Sequence, residues 1–584
     1  MKEGGPQHPP PPVIHVTEAI VKEDHKDPEY DVVVAGGTLG IFLALALQLR
    51  GHKVCVVERR RLQGRTQEWN ISRKELETLV EEGLLSQEEL ESTVATEWDF
   101  CRIGFKGGGG ELLVSEVLNV GVKPDRLIEV LKNRFLGKGG VVMEHTAFKA
   151  ATVSSMGVEI RVGPGAPAPK TSRDSDNTRC ITSRMLIDCM GHFSPIVRQI
   201  RSEAGQRPDG MVVVVGACFV PSSSTPCNNN NDVAPADLLY SFTDSFDNTQ
   251  LFWEAFPAEG GTARTVYAFQ YIDTHPSRPT FTHMLTTFLT LLPQYQGIQD
   301  VHTDVQFKRI LLGGFPCYTR SSPLPPAFDR VLQVGDAAAQ QSPLSFGGFG
   351  AMVRHLPRLS RGVDDALRHR KLSKRDLGWL QPYQPSLAVA WLFQRAMSVK
   401  PGKERGRSKT WVWPSGHINR LLRCNFEVMR RLGDRVLRPF VLDRVQAVPL
   451  GLTMVGMMLK DPLVVMTVVL QRPLMVLDWC RHFVMLSLGS VLWWGLGRWR
   501  GVTRGWYWFQ RVLDALEYGC AGDYAYRPGR VVHRPADGVV VGGGGMEAGV
   551  GVVAPAPVAE DIQKKKNDDM MMMQSPVSIS SSAS

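Results

Sequence analysis

The sequence predicts an α/β fold: a Rossmann-type domain with a parallel sheet, an inserted antiparallel β domain, and a helical region at the C-terminal side. Three observations carry this. A β-branched run ends in Gly36-Gly37-Thr38-Leu39-Gly40 and leads into an apolar helix and a second β-branched run. A second apolar strand, nearly three hundred residues on, ends in Gly335-Asp336 and is followed by a glycine-rich turn. Between the two lie successive strand-like segments, which read as an antiparallel sheet set into the first domain.

In chain order, residues 1–29 are a proline-rich lead-in with five acidic residues between Glu18 and Glu29, and they are expected to be disordered. Asp31–Ala35 reads as a strand, Ile41–Arg50 as a helix, and His52–Glu58 as the next strand. An acidic helical stretch follows. Its Ser72–Glu75 and Ser86–Glu89 pairs have the spacing of capping boxes, each Ser accepting from a backbone N–H three residues on. Leu127, Ile128, Leu131 and Phe135 mark one face of a helix that feeds the strand Val141–Glu144. Gly107–Gly110, Gly163–Thr178 and Ser222–Asp237 are predicted to be surface insertions, too poor in apolar residues to order themselves. Met211–Val220, Leu251–Phe256 and Thr265–Ile272 are strands of the inserted domain. After about Leu377 the chain turns helical and increasingly apolar, and from about Pro535 it is of low complexity.

The organisation is therefore a lead-in (1–29), a first part of the dinucleotide domain (30–205) and an antiparallel substrate domain (206–310). A second part of the dinucleotide domain (311–375), a helical membrane-associating region (376–510) and a tail (511–584) complete it.

Composition removes several classes. A chain of 584 residues with 43% hydrophobic and 21% charged residues is globular and long enough for more than one domain. The net charge of +9 is spread along the chain, with no basic stripe interleaved with aromatics, so nucleic acid is not expected as a partner. Ten cysteines occur without a CxxC pair, which reads as reduced core thiols and not as a disulfide framework or a metal site. No apolar signal segment precedes Asp31, and the acidic start does not resemble a transit peptide.

The chemistry concentrates in two motifs. In the first, Ala35, Gly36, Gly37, Thr38, Leu39 and Gly40 form a turn of the G-x-G-x-x-G type, with Gly37 and Gly40 at its second and third positions. Glycine there permits close approach of backbone to a pyrophosphate and tight helix–strand packing. The helix N-terminus supplies N–H groups and partial positive charge. Glu58, at the end of the second strand, is placed to accept from ribose hydroxyls, with Arg59 beside it. One departure stands out: the first position is Ala35, whose backbone must avoid the left-handed region. Val539–Gly549 imitates the motif, but no amphipathic helix follows, so it belongs to the tail and no separate NAD(P) domain is read.

The second motif runs from Arg330 to Ala338, and Ser342-Pro343-Leu344-Ser345-Phe346-Gly347-Gly348-Phe349-Gly350 then opens a helix. Here the chain resembles the FAD-dependent hydroxylase and lycopene cyclase superfamily. The resemblance implies FAD as cofactor, Gly335 and Asp336 at the ribityl chain, and the Gly347 and Gly348 amides beside the flavin ring. On its own chemistry Asp336 would serve equally as a helix cap. Leu186–Arg198 is similar to the superfamily's strand–glycine–serine–arginine element, a structural one, and its His192 reads as a bystander.

Further segments narrow the likeness: Gln67–Leu76, Leu251–Pro257, Gln340–Pro343, Trp391–Met397 and Met429–Asp434. Over about Tyr30 to Leu496 they resemble the CruA/CruP-type lycopene cyclases, the CruP branch in particular. That implies redox-neutral ring closure of an acyclic carotenoid end group, with reduced FAD as an electrostatic partner and NAD(P)H only as an external reductant. It also implies a chloroplast location at the thylakoid or envelope membrane. Such chemistry needs an acid in a water-poor pocket with negative charge near a cation. Glu254, between Trp253 and Phe256, is the candidate acid if aromatic neighbours desolvate it, and an edge-strand glutamate facing solvent otherwise. Trp69, Asn70 and Ser72 are weaker candidates for the flavin pocket.

A carotenoid resides in a bilayer. Pro449–Leu459, Pro462–Leu470 and Phe483–Leu496 are apolar, but the last spans only ~20 Å, short of a ~30 Å hydrocarbon core. They read as monotopic or re-entrant helices with an interfacial belt from Trp493 to Trp508, or else as a buried cap on the dinucleotide domain. Two alternatives to a cyclase share every flavin motif: a monooxygenase, epoxidase or reductase of an isoprenoid, and a membrane flavoprotein without cyclising activity.

Overall fold

A computed structural model describes residues 11–17, 27–108, 111–165, 178–221, 236–273, 275, 278–319, 322–345, 347–399, 414–503 and 505–524. The Phe346 position, most of two predicted insertions, Val539–Gly549 and the tail beyond Tyr524 lie outside the described residues.

Among these residues eight strands form the first sheet. Its parallel core runs in the order Val331–Gln333, Arg179–Asp188, Tyr30–Ala35, Val54–Val57, Val141–Met143. Strand period decides the packing: Val32 and Val34 enter one hydrophobic cluster, Val33 and Ala35 the cluster on the opposite face. A strand buried on both faces must be apolar, and Val32–Ala35 and Val54–Val57 are; Asp31 sits half-buried near the start of the first. Helices Gly40–Leu49, Pro124–Gly137 and Gly348–Arg368 cover one face. Gly40–Leu49 has its first eight residues buried, which explains why it reads as apolar without a polar face.

The second sheet has seven strands, in the order Val305–Cys317, Gly210–Pro221, Ala263–Ile272, Phe252–Ala258, Ala236–Ser241, Phe100–Phe105, Leu112–Ser115. The helix Phe281–Gln296 packs Phe288 and Tyr295 onto Trp253 on one face. A small third sheet, Trp69–Ile71, Val120–Val122 and Val94–Glu97, carries the segment after the second strand of the first sheet toward the second.

Several expectations are corrected. Within the lead-in, Ile14–Val16 is a strand paired in parallel with Thr146–Val153, and the Ile14 amide donates to Gln199 Oε1. The apolar Ile14 side chain is buried there, which offsets the cost of ordering. Ser86 closes its capping box with Glu89, but Ser72 caps nothing; its hydroxyl accepts from the Leu118 amide. Asp237, placed in an insertion, is buried in a strand and paired with Arg102. Two strands of the second sheet come from inside 30–205, and Val305–Cys317 crosses the boundary drawn at 310. The helix Tyr507–Gly519 crosses that drawn at 510, where Leu513 is buried.

The last apolar helix is longer than expected. It spans Pro473–Leu496, 24 residues or ~36 Å, and takes in Asp478, Arg481 and His482, with Asp478 within ion-pair distance of the other two. With the following turn it is long and apolar enough to cross a membrane, and only 17% of its most apolar window is buried. Helices Ala447–Lys460 and Pro462–Gln471 meet at a 110° bend.

Candidate active site

The C-terminal ends of the parallel strands, Ala35, Val57, Asp188 and Gln333, fall along one edge of the first sheet, the edge where open α/β sheets hold ligands. A cavity of about 1180 Å³ opens there. Drug-sized ligand pockets run to roughly 300–1,000 Å³, so this one has room for more than a single small molecule.

At one end lies the glycine turn. Gly36 takes φ +95°, and a Cβ there would come within 2.5 Å of the Cys189 carbonyl oxygen. Ala35 is an ordinary strand residue paired with Val57 and Asp188, so alanine at the first position is accommodated and the left-handed demand falls on Gly36 instead. At Gly37 a Cβ would meet Leu62 at 2.6 Å, and its amide donates to Glu58 Oε2 at 2.8 Å. Gly40 packs against Val34 and Cys189 and does not line the cavity. The helix it opens has Leu39 as N-cap with no side-chain cap, leaving its first-turn amides for a ligand.

The second motif reaches the same cavity. Gly335 takes φ +65°, its amide is held by Gln340 Oε1 at 3.0 Å, and the chain turns so that Asp336 faces the start of the helix Gly348–Arg368. A Cβ on Gly348 would lie 2.7 Å from Asp336 Oδ1. The helix has Gly347 as N-cap and no side-chain cap bond, so Asp336 is not used as a cap. Its nearest charged partner is His192, with Nε2 4.0 Å from Oδ2. Burial pushes the Asp336 carboxyl up and the His192 ring down, and each partly offsets the other. The neighbouring Asp188 is spent on structure: it accepts from Ser194 Oγ at 2.6 Å and the Met190 amide, and Ser194 caps the helix Pro195–Glu203.

Glu254 enters from the second sheet. Its strand places Phe252 and Phe256 on its own face, while Trp253 turns into the opposite core with Phe288. The expected Trp253 neighbour is thus replaced by Phe256 and, across the strand, Tyr267. Asn70 Nδ2 donates to Glu254 Oε1 at 2.6 Å. Burial raises the carboxyl to about 7, against the lowering effects of Asn70 and Arg65. Beyond Glu254 the cavity is walled by Val212, Phe269, Phe315, Leu422, Phe426 and Phe440.

Gly36, Gly37, Thr38, Leu39, Glu58, Arg59, Gly335, Asp336, Gly347, Gly348 and Glu254 therefore line one cavity, whereas Ala35 and Gly40 support it from behind. Of the weaker candidates, Trp69 lines it and meets Phe349 with ring centroids 4.8 Å apart; Asn70 lines it too, and Ser72 does not. Sequence reasoning missed Asp443, which lies in a loop between helices with no motif around it. Two uncapped helix N-termini, glycine positions closed to a Cβ, and carboxylates at both ends make a donor set that fits FAD.

No protein-family model and no curated protein matches the chain. Solved structures do. A geranylgeranyl bacteriochlorophyll reductase-like protein of Thermoplasma acidophilum aligns with a TM-score of 0.54 at 13% identity, over 79% of this chain and 100% of that one. The two share a fold. Also similar are the halogenase PltM (TM-score 0.49, 14% identity, 71% of this chain and 83% of that one) and CmlS, a flavin-dependent halogenase (0.49, 17%, 71% and 72%).

Proposed function

We propose that this protein is an FAD-dependent enzyme of long apolar isoprenoids, and that it closes a β-ring on an acyclic carotenoid such as lycopene without net redox change. The observation that carries the reading is the meeting of Glu254, the Gly36–Leu39 turn and Asp336 in one cavity whose far end is apolar.

In this reading the Gly36–Leu39 amides take the pyrophosphate, Glu58 the adenosine ribose with Arg59 at its edge, and Gly335–Asp336 the ribityl hydroxyls. Gly347 and Gly348 lie against the ring. Reduced flavin, when bound, supplies negative charge near the substrate. Glu254 keeps its proton near neutral pH; Asn70 occupies Oε1, which leaves the proton on Oε2 to be delivered to a terminal double bond. Phe256, Phe269 and Tyr271 line the cavity, exclude water from the carbocation and offer it aromatic surface. Ring closure and loss of a different proton then return a hydrocarbon of unchanged mass.

A bilayer as the substrate reservoir belongs to the same proposal, and with it the plastid membrane that the resemblance implies. Leu459, Leu463, Leu470, Leu474 and Trp494 project outward, Leu474 at 80% and Trp494 at 86% exposure, from the bent helix pair and the long helix after it. Apolar surface of that extent on a soluble protein marks a membrane or protein contact. The apolar wall at Phe426 and Phe440 comes from helices adjoining this region.

The test is purified protein with reduced FAD and lycopene in liposomes. A product of equal mass with a shifted absorption spectrum is expected. A product heavier by one oxygen atom or by two hydrogens would replace ring closure with oxygenation or reduction.

A further inference from the structure

We infer that Asp443 is a second acid–base carboxyl of this cavity, the group that takes up the proton released when the cyclised cation collapses. The inference rests on the ring-closure reading and adds the residue that completes its proton balance.

Asp443 sits in the loop between the helices Asp434–Val441 and Ala447–Lys460 and lines the cavity. It holds φ +58°, a conformation that Asp tolerates better than most residues but that still has to be imposed by its surroundings. The Ser345 hydroxyl donates to its Oδ2 and in turn accepts from the Gly347 amide at 3.2 Å. One hydroxyl thus ties the carboxylate to the turn beside the flavin ring. Ser342 supplies a further side-chain hydrogen bond.

Its place on the cavity wall, with no cation on its carboxylate, sets it apart from a purely structural aspartate. Two arginines are within reach, and neither is spent on this carboxylate. Arg354 donates Nε and Nη2 to Asp523, at 2.8 and 2.9 Å, and gives only Nη1 to the Asp443 backbone oxygen. Arg444 pairs with Glu75 and Asp523. Among the described residues no cation is in ion-pair distance of the Asp443 carboxylate. Asp188, which is spent on structure, also lacks a guanidinium partner, but it does not line the cavity, whereas Asp443 does. This one is left with hydroxyl donors and an open side toward the cavity.

The facing groups are Arg354 from the helix Gly348–Arg368, Glu75 from Arg73–Glu81, Tyr271 from Ala263–Ile272, and the adjacent Arg444 and Asp523. Burial raises Asp443 to about 6, against the lowering effects of Ser342, Ser345 and Arg354 and with a small further rise from Glu75; Glu254 stands at about 7. Tyr271 feels both carboxylates and donates a hydrogen bond from its hydroxyl to the Leu344 carbonyl. Two carboxyls of one cavity in different surroundings, one beside Asn70 and the other on serine hydroxyls, can divide the acid and base roles between them.

The proton balance closes. Glu254 gives a proton to a terminal alkene carbon, and the new C–C bond forms from the adjoining π electrons. A ring C–H bond then breaks, its electrons become the ring double bond, and Asp443 receives the proton. Solvent exchange reprotonates Glu254 and deprotonates Asp443 before the next turnover. No oxidant or reductant is consumed.

The experiment compares wild type with Asp443→Asn and Ser345→Ala in the liposome assay from pH 5 to 8. Wild-type activity should be bell-shaped, falling below about 6 as Asp443 is protonated and above about 7 as Glu254 ionises. Asp443→Asn should keep its flavin absorbance, lose on the order of 100-fold in kcat, lose the acid limb, and alter the position of the ring double bond. Ser345→Ala, which removes one donor, should move the acid limb upward. Asp443→Asn with near-normal kcat, profile and product overturns the inference and leaves ring closure standing. If that variant loses flavin, an unmoved acid limb in Ser345→Ala overturns it instead. A wild-type product of altered mass overturns both readings together.

Discussion

Glu254 illustrates what a residue owes to its surroundings. The sequence offers a carboxylate among aromatics, and the strand period alone would pair it with Phe252 and Phe256 and send Trp253 to the other face, as observed. Its Asn70 partner, 184 positions away, has no local signature. Glu254→Gln should abolish conversion while flavin remains bound, read by product analysis and absorbance. Its stability effect has a definite sign. A carboxyl raised from 4.5 to about 7 stabilises the fold fully below pH 4.5, and that contribution is lost as pH rises through 7. The glutamine variant should therefore be more stable than wild type at pH 8.5, by up to about 3 kcal/mol and with a higher melting temperature, and not at pH 4. Equal melting temperatures at pH 8.5 would show that Glu254 is not desolvated.

At the scale of elements, the glycine turn and the helix caps carry separate lessons. Gly36→Ala combines a left-handed backbone, costing roughly 1–2 kcal/mol, with a Cβ driven against a carbonyl oxygen. It should yield colourless protein. Gly37→Ala meets only side-chain methyls, of Leu62 and Val56, and should retain part of its flavin, so the ratio of flavin to protein absorbance ranks the two. Ser86→Ala should lower stability by about 1 kcal/mol in a denaturant titration, the ordinary worth of a cap. The same change at Ser72 would act by leaving the Leu118 amide unpaired. The two Ser-x-x-Glu sequences are indistinguishable in isolation. Only at Ser72 does a neighbouring strand end bring an amide that competes for the hydroxyl.

For the whole molecule, the cavity exists because three sheets and the C-terminal helices converge on it. Among the described residues, the helices from Ala447 to Leu496 expose the apolar surface that the proposed membrane contact would use. The full chain should float with liposomes in a density gradient at high salt, and Trp494 fluorescence should shift to the blue and be quenched by brominated lipids. Leu470→Glu together with Leu474→Glu should return the protein to the aqueous fraction without loss of bound flavin. Flotation unchanged by the double substitution would place the membrane contact elsewhere.

The sequence by itself determined the α/β class, the glycine turn with Glu58, and the Gly335–Asp336 strand end, because each is a local pattern of period or backbone freedom. Those patterns sit within single elements, where neighbours along the chain decide conformation. The tertiary structure alone decided that Asp443 faces the cavity, that Ile14–Val16 joins the first sheet, and that the last apolar helix begins at Pro473. Each of these depends on pairing between residues far apart in the chain, and the free energy of such contacts leaves no periodic mark in the sequence.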